Sequence, residues 1–318
     1  MNKNILRVAK TFPFAAGAFV SGHTCYTVYK QVFFVENECI KSSYYGNLTT
    51  PFDPHTEKAI DAVFDKLVFV ASGKQCALTQ FYWSNKATVQ HRGSTLSRFG
   101  TYVGVPIHYK YQDPSEVDLS DLESSFECSE KSSELLQRLK ESLVLSENAK
   151  KFALASEFLN AHSFELPVRC NGIVFFILAY AILQNPLAGA VTYGTPQQVL
   201  AIFVALASSL FIVHYITSRT YFKYVRVSSD RKVAKFGDDF LKGGIEYFEK
   251  LAEKNKVLRE LDPKTSGYLF EPNGDEVKSI INFGNVAISD RLTCLQKIDK
   301  EIQETKDLTP ENSEDTTS

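Results

Sequence analysis

GIVFFILAYAILQNPLAGAV (Gly172–Val191) and VLAIFVALASSLFIVHYI (Val199–Ile216) decide the fold read from this sequence, because neither contains an Asp, Glu, Lys or Arg. A helix rises about 1.5 Å per residue, so runs of this length reach across roughly 30 Å of bilayer hydrocarbon. Tyr193, Gly194 and Pro196 supply turn chemistry between them, and so short a connection forces an antiparallel return. Charge marks the flanks, with Arg169 before the pair and Arg219, Lys223 and Arg226 after it. The pattern predicts a mainly α integral membrane protein: a two-helix transmembrane hairpin at 172–191 and 199–216, with a flanking α+β domain built from both sides of it. Two buried core helices in a soluble protein are the alternative, but soluble cores seldom need adjacent helices that are apolar on every face.

Working outward, the charge distribution is more informative than the net charge of −2. Residues 1–35 hold Lys3, Arg7, Lys10 and Lys30 and no acid, the pattern of a mitochondrial import leader. Within it, Thr11–Tyr29 is uncharged and moderately apolar, and it reads three ways: part of a cleaved presequence, a retained anchor, or a third span. The six cysteines are scattered without a CxxC pair, which disfavours a disulfide framework or a zinc ribbon.

Residues 36–168 read as an α+β domain. Ser42–Pro54 is a loop. Thr56 is set to cap a helix reaching about Val70, with Ala59, Ile60, Val63, Phe64 and Leu67 on one face. Ala77–Trp83 and Thr101–Tyr109 are β-rich, with Gly93 and Gly100 marking turns. Gln112–Cys128 is an acidic loop. Lys131–Ala161 is long and helical, with Ser146 as an internal cap.

Beyond the second apolar run, residues 217–302 form a basic juxtamembrane and helical region. Arg219, Lys223, Arg226, Arg231, Lys232 and Lys235 stand there against the single acid Asp230. Nucleic-acid binding is one reading of such a run, but its place beside an apolar stretch makes it topology-setting, holding both flanking regions on the matrix side. Phe236–Glu260 reads as an amphipathic helix broken at Gly243-Gly244, followed by a short strand at Tyr268–Phe270 and a turn at Pro272–Gly274. The acidic tail, 303–318, predicts disorder.

No phosphate loop, dinucleotide fingerprint, GxSxG or HExxH is present, so no catalytic, cofactor-binding or metal residue is assigned. His214, inside the second run, is an intramembrane ionisable residue with Tyr180 and Gln184 as candidate partners.

Four segments, VGVP (Val103–Pro106), LVLSENAKKFALASE (Leu143–Glu157), GGIEYFEKL (Gly243–Leu251) and LFEPNGD (Leu269–Asp275), occur in an order that resembles the transmembrane protein 177 family. The resemblance implies a multi-pass mitochondrial inner-membrane protein without catalytic activity. It would act in cytochrome c oxidase biogenesis, associating with membrane lipid, newly made subunit II and that subunit's membrane chaperone. Phe152, Ala153, Glu157, Gly243, Gly244, Glu246 and Glu249 are its recurring positions, readable equally as partner-binding or as packing and capping sites. A fainter likeness links Ser156-Glu157-Phe158-Leu159-Asn160 to the HExxH helix of HtpX/Ste24-type membrane metallopeptidases. Ser and Asn stand where both histidines would be, which implies a peptidase-like scaffold without its metal. An unrecognised membrane hydrolase is the rival reading.

Overall fold

The computed structural model describes residues 26, 29, 33–67, 73–121, 133–164, 168, 195–277 and 286–308. Eight α-helices stand among them: α1 (Val35–Ser42), α2 (Pro54–Leu67), α3 (Gly73–Ala77), α4 (Ser133–Leu143), α5 (Glu147–Ala161), α6 (Pro196–Ala234), α7 (Asp238–Leu261) and α8 (Ile288–Leu308). Three strands, β1 (Thr79–Ser84), β2 (Gln90–Gly93) and β3 (Thr101–Pro106), form one sheet in the order β1-β3-β2. β1 runs parallel to β3 and β2 antiparallel to it.

The core gathers around α5, which packs on α7, α2, α6 and β2. Ala149, Phe152, Leu154, Ala155 and Phe158 are fully buried and so are Val103 and Val105 of β3. Burying a side chain of this size contributes about 1.5–3 kcal/mol, so α5 carries a large share of the stability. α7 can approach it closely because Gly243 and Gly244 face it. A methyl group at Gly244 would lie 2.6 Å from the Phe152 ring, and one at Gly243 would lie 2.3 Å from the Asn148 carbonyl oxygen. The two glycines therefore do not break the helix, as the sequence pattern suggested; α7 is continuous, and they are its contact surface.

Local signals account for most element ends. Ser146 caps α5, its Oγ accepting from Ala149 N–H at 3.2 Å, so Lys131–Ala161 divides into two helices at that residue. α2 starts one turn earlier than expected: Asp53, not Thr56, accepts from the His55 and Thr56 N–H groups, and Pro54 takes the first helical position. Thr56 is buried and donates to the Tyr109 carbonyl instead. Gly93 and Gly100 hold φ values of +82° and +76° at the two ends of the β2–β3 turn.

The expected transmembrane hairpin is corrected by the structure. Among the described residues, no helix is long and apolar enough to cross a membrane. Residues 199–216 are not a separate span. They begin the 39-residue α6, which Thr195 and Gln198 start with a capping box and which runs on through Arg219, Lys223, Arg226, Asp230, Arg231 and Lys232. The helix continues past the apolar run because nothing breaks it before Gly237, and because Phe222, Val225, Val233 and Ala234 bury one side of its second half. Residues 172–191 lie outside the described residues, as do 1–25, Tyr180, Gln184 and 309–318. Part of the tail expected to be disordered, 303–308, is the last turn and a half of α8.

Candidate functional site

α5 presents Ser156, Glu157 and Asn160 toward β2 and α6. Residues four apart share a helix face, and the glutamate leans toward the same side. Glu157 is held from three directions. His91 of β2 approaches Oε1 through its ring Nδ1 at 2.7 Å and donates its backbone N–H to the same oxygen at 3.2 Å. The Asn160 amide donates to Oε2 at 3.1 Å. Burial alone would raise the Glu157 carboxyl, but the His91 hydrogen bond and charge, helped by the Arg226 guanidinium and Asn160, outweigh it and bring the pKa down to about 2.

Beside this cluster lies a second one. Asp230 of α6 is 1% exposed. Its Oδ1 accepts from Ser156 Oγ at 2.6 Å, and Arg291 of α8 grips both oxygens, Nε to Oδ2 at 2.7 Å and Nη2 to Oδ1 at 2.8 Å. The Arg291 guanidinium also lies 4.4 Å from the centre of the Phe248 ring, so it is stacked as well as paired. A cavity of about 80 Å³ separates the clusters, with Glu157, Arg226, Tyr247 and Arg291 among its walls. Burial pushes the Tyr247 phenol up to about 12, so it stays protonated and can only share its hydrogen, not lose it.

These residues do not fit a metal ion. A serine hydroxyl and an asparagine amide stand at the positions where nitrogen or sulfur donors would be needed, and both Asp230 oxygens are already occupied by cationic or hydroxyl donors. Among the described residues, no three His, Cys, Asp or Glu side chains are grouped to hold one. Where a dication would need a cage of anions, this site carries a guanidinium of its own.

The remaining sequence candidates are scattered. Phe152 is fully buried and packs against Phe248 and Tyr247. Glu246 accepts from both the N–H and the hydroxyl of Ser146 and pairs with Lys250 at 3.0 Å, so it joins the start of α5 to α7. Burial would raise its carboxyl, and the Ser146 and Lys250 hydrogen bonds hold it below the ordinary range. Glu249 is exposed on the same helix, at a groove shared with Arg138 and Lys256. In the basic run, Arg219 lies 3.3 Å from Tyr215 Oη, Lys223 3.2 Å from Asp290 and Arg231 3.0 Å from Cys294, while Lys232 is exposed. Arg226 alone turns inward, to the cavity. His91, Asp230, Tyr247 and Arg291 were not singled out from the sequence. Asp230 had one signal, as the sole acid in a strongly basic helix.

Comparison with known proteins agrees with the four-segment likeness. The family described as Transmembrane protein 177 matches residues 74–312 of the 318. Proteins named Transmembrane protein 177 are similar to this chain in Xenopus laevis (26% identical over 185 residues, 55% of this chain and 58% of that one). The counterpart in Homo sapiens is 32% identical over 148 residues (44% and 46%), and that in Danio rerio 26% over 144 residues (43% and 45%). The chain thus matches about half the length of these curated relatives. No solved structure matches it. The family match covers α3 through α8, including every residue of the Glu157 and Asp230 clusters, and on it the chain belongs to the transmembrane protein 177 family of membrane proteins.

Proposed function

We propose that the protein is a non-enzymatic assembly factor of the mitochondrial inner membrane, acting in cytochrome c oxidase biogenesis by holding newly made subunit II together with its membrane chaperone. One observation carries the non-enzymatic part. The two buried carboxylates, Glu157 and Asp230, are each satisfied by donors from the chain itself. A general base works best with a pKa near the working pH, and Glu157, at about 2, is far from it. The acid-free basic leader supports the compartment, family membership supports the membrane, and the client is what the family resemblance implies. Removing the protein from cells is expected to shorten the lifetime of newly made subunit II; an unchanged lifetime contradicts the proposal.

A second reading is favoured by a specific juxtaposition. Ser156 on α5, one residue before Glu157 and four before Asn160, donates to Asp230 on α6, an arrangement that resembles a metallopeptidase helix pair whose ligands have been replaced. On this reading the chain keeps a peptidase-like shape for holding polypeptide. Metal analysis of the purified protein tests it, and stoichiometric zinc would contradict both readings.

A further inference from the structure

An exposed aromatic patch joins the β2–β3 turn to the segment before α1. Phe34, Tyr29, Phe33 and Phe99 form a chain of ring contacts in that order, 4.9–5.6 Å between centroids, yet each is 38–59% exposed. Leu96 adds a further 41% exposed side chain, and the Arg98 guanidinium sits 4.7 Å from the Phe99 ring centre. Contiguous apolar surface of this kind, left in water, marks a contact site rather than chance.

The patch is built on a rigid seat. Residues 94–100 are tied to the end of α5: the Thr95 N–H and Ser94 hydroxyl both donate to the Ala161 carbonyl, and Thr95 Oγ1 lies 2.8 Å from His162 Nδ1. Gly100 at φ +76° closes the turn against Leu78, whose carbonyl oxygen a methyl group there would meet at 2.2 Å. The loop is therefore fixed with Leu96 and Phe99 outward.

We propose that the Tyr29, Phe33, Phe34, Leu96, Arg98 and Phe99 surface lies in the headgroup layer of the membrane. The inference rests on the family being one of membrane proteins. It goes beyond that by assigning the surface that meets the lipid. Two features favour lipid over a protein partner. Aromatic rings with a polar edge are the side chains that settle at a water–hydrocarbon boundary. Residues 26–35 and 94–100 contain no acid, so nothing there repels anionic headgroups, while Arg98 offers them a cation over an apolar base.

The test uses the full chain in vesicles of phosphatidylcholine and phosphatidylglycerol, with Phe99→Trp as a reporter. The native Trp83, 4% exposed and donating to the Pro51 carbonyl, supplies the reference signal in the unsubstituted protein. The added emission should be largely lost to lipids brominated near the headgroup and little affected by aqueous iodide. Loss to iodide, or protection from both quenchers, overturns the proposal, since the first places the ring in water and the second in a protein contact. Leu96→Trp provides the same readout if Phe99→Trp does not fold.

Discussion

Arg291 holds Asp230 by two parallel hydrogen bonds, 2.7 Å and 2.8 Å long, that bridge the first turn of α8 to the last turns of α6. Burial by itself would lower the guanidinium's pKa; the Asp230 charge and hydrogen bonds overcome this and raise it, so the guanidinium keeps its charge inside the protein. Removing one partner of a buried pair costs about 3–5 kcal/mol, because the other is left uncompensated. Arg291→Met should show that loss in chemical denaturation. The double variant Asp230→Asn, Arg291→Met should be the more stable of the two; if it is worse, the pair is not the source of the cost.

Glu157 gives the fold a pH dependence of known sign. Its pKa is about 2 in the folded protein against 4.5 ordinarily, so the unfolded chain takes up the proton first as pH falls. The stabilisation is complete above pH 4.5 and is lost as pH falls toward 2, amounting to about 3 kcal/mol. His91→Ala should flatten this part of the stability–pH curve. An unchanged slope would mean that His91 does not hold the carboxylate.

Lys254 gives a slope of the same sign at the alkaline end, although here the folded state disfavours the charged form. It is 5% exposed, its amine donates to the Ala87 carbonyl, and burial lowers its pKa to about 8 from 10.5 against the weaker pull of Glu276. The folded chain sheds this proton first as pH rises. Stability is therefore expected to climb between pH 8 and 10.5, by about 3 kcal/mol from this group. Lys254→Met should abolish the climb in thermal or chemical unfolding.

The α5–α7 contact can be tested one glycine at a time. Gly244→Ala meets the Phe152 ring and the end of Leu295, both side chains, whereas Gly243→Ala meets the Asn148 backbone. Overpacking of this type costs about 1–3 kcal/mol. Adding Phe152→Leu should recover much of the loss for Gly244→Ala and none for Gly243→Ala.

That contact also shows how far the sequence could be read. Gly243-Gly244 looked like a helix break because glycine is a poor helix former; only the partner helix reveals that the missing side chains admit Phe152 and Asn148. Ser146 was readable because a cap is a local device, and it now divides α4 from α5. β2, Gln90–Gly93, escaped notice: its residues, QHRG, lack the apolar alternation that marks a strand, and it is ordered through β3 and Glu157. α8 was placed only within a broadly helical 217–302, without bounds of its own, because its buried apolar residues, Ile288 and Leu295, matter only once α6 and α7 are beside it. The apolar composition of 199–216 was correctly seen. What it did not reveal was that the helix passes through its end and carries Asp230 into the core.

The central claim is that the protein works by binding, its buried carboxylates serving the fold. Glu157→Gln separates this from catalysis, because the amide oxygen can still accept from His91 N–H and its NH2 can donate to the Asn160 carbonyl once that side chain turns over, but the amide cannot act as a base. The decisive measurement is the lifetime of pulse-labelled oxidase subunit II in cells lacking the native protein and supplied with Glu157→Gln at matched folded abundance. A lifetime restored to the native value is the predicted result; a lifetime as short as in cells without the protein would contradict the account.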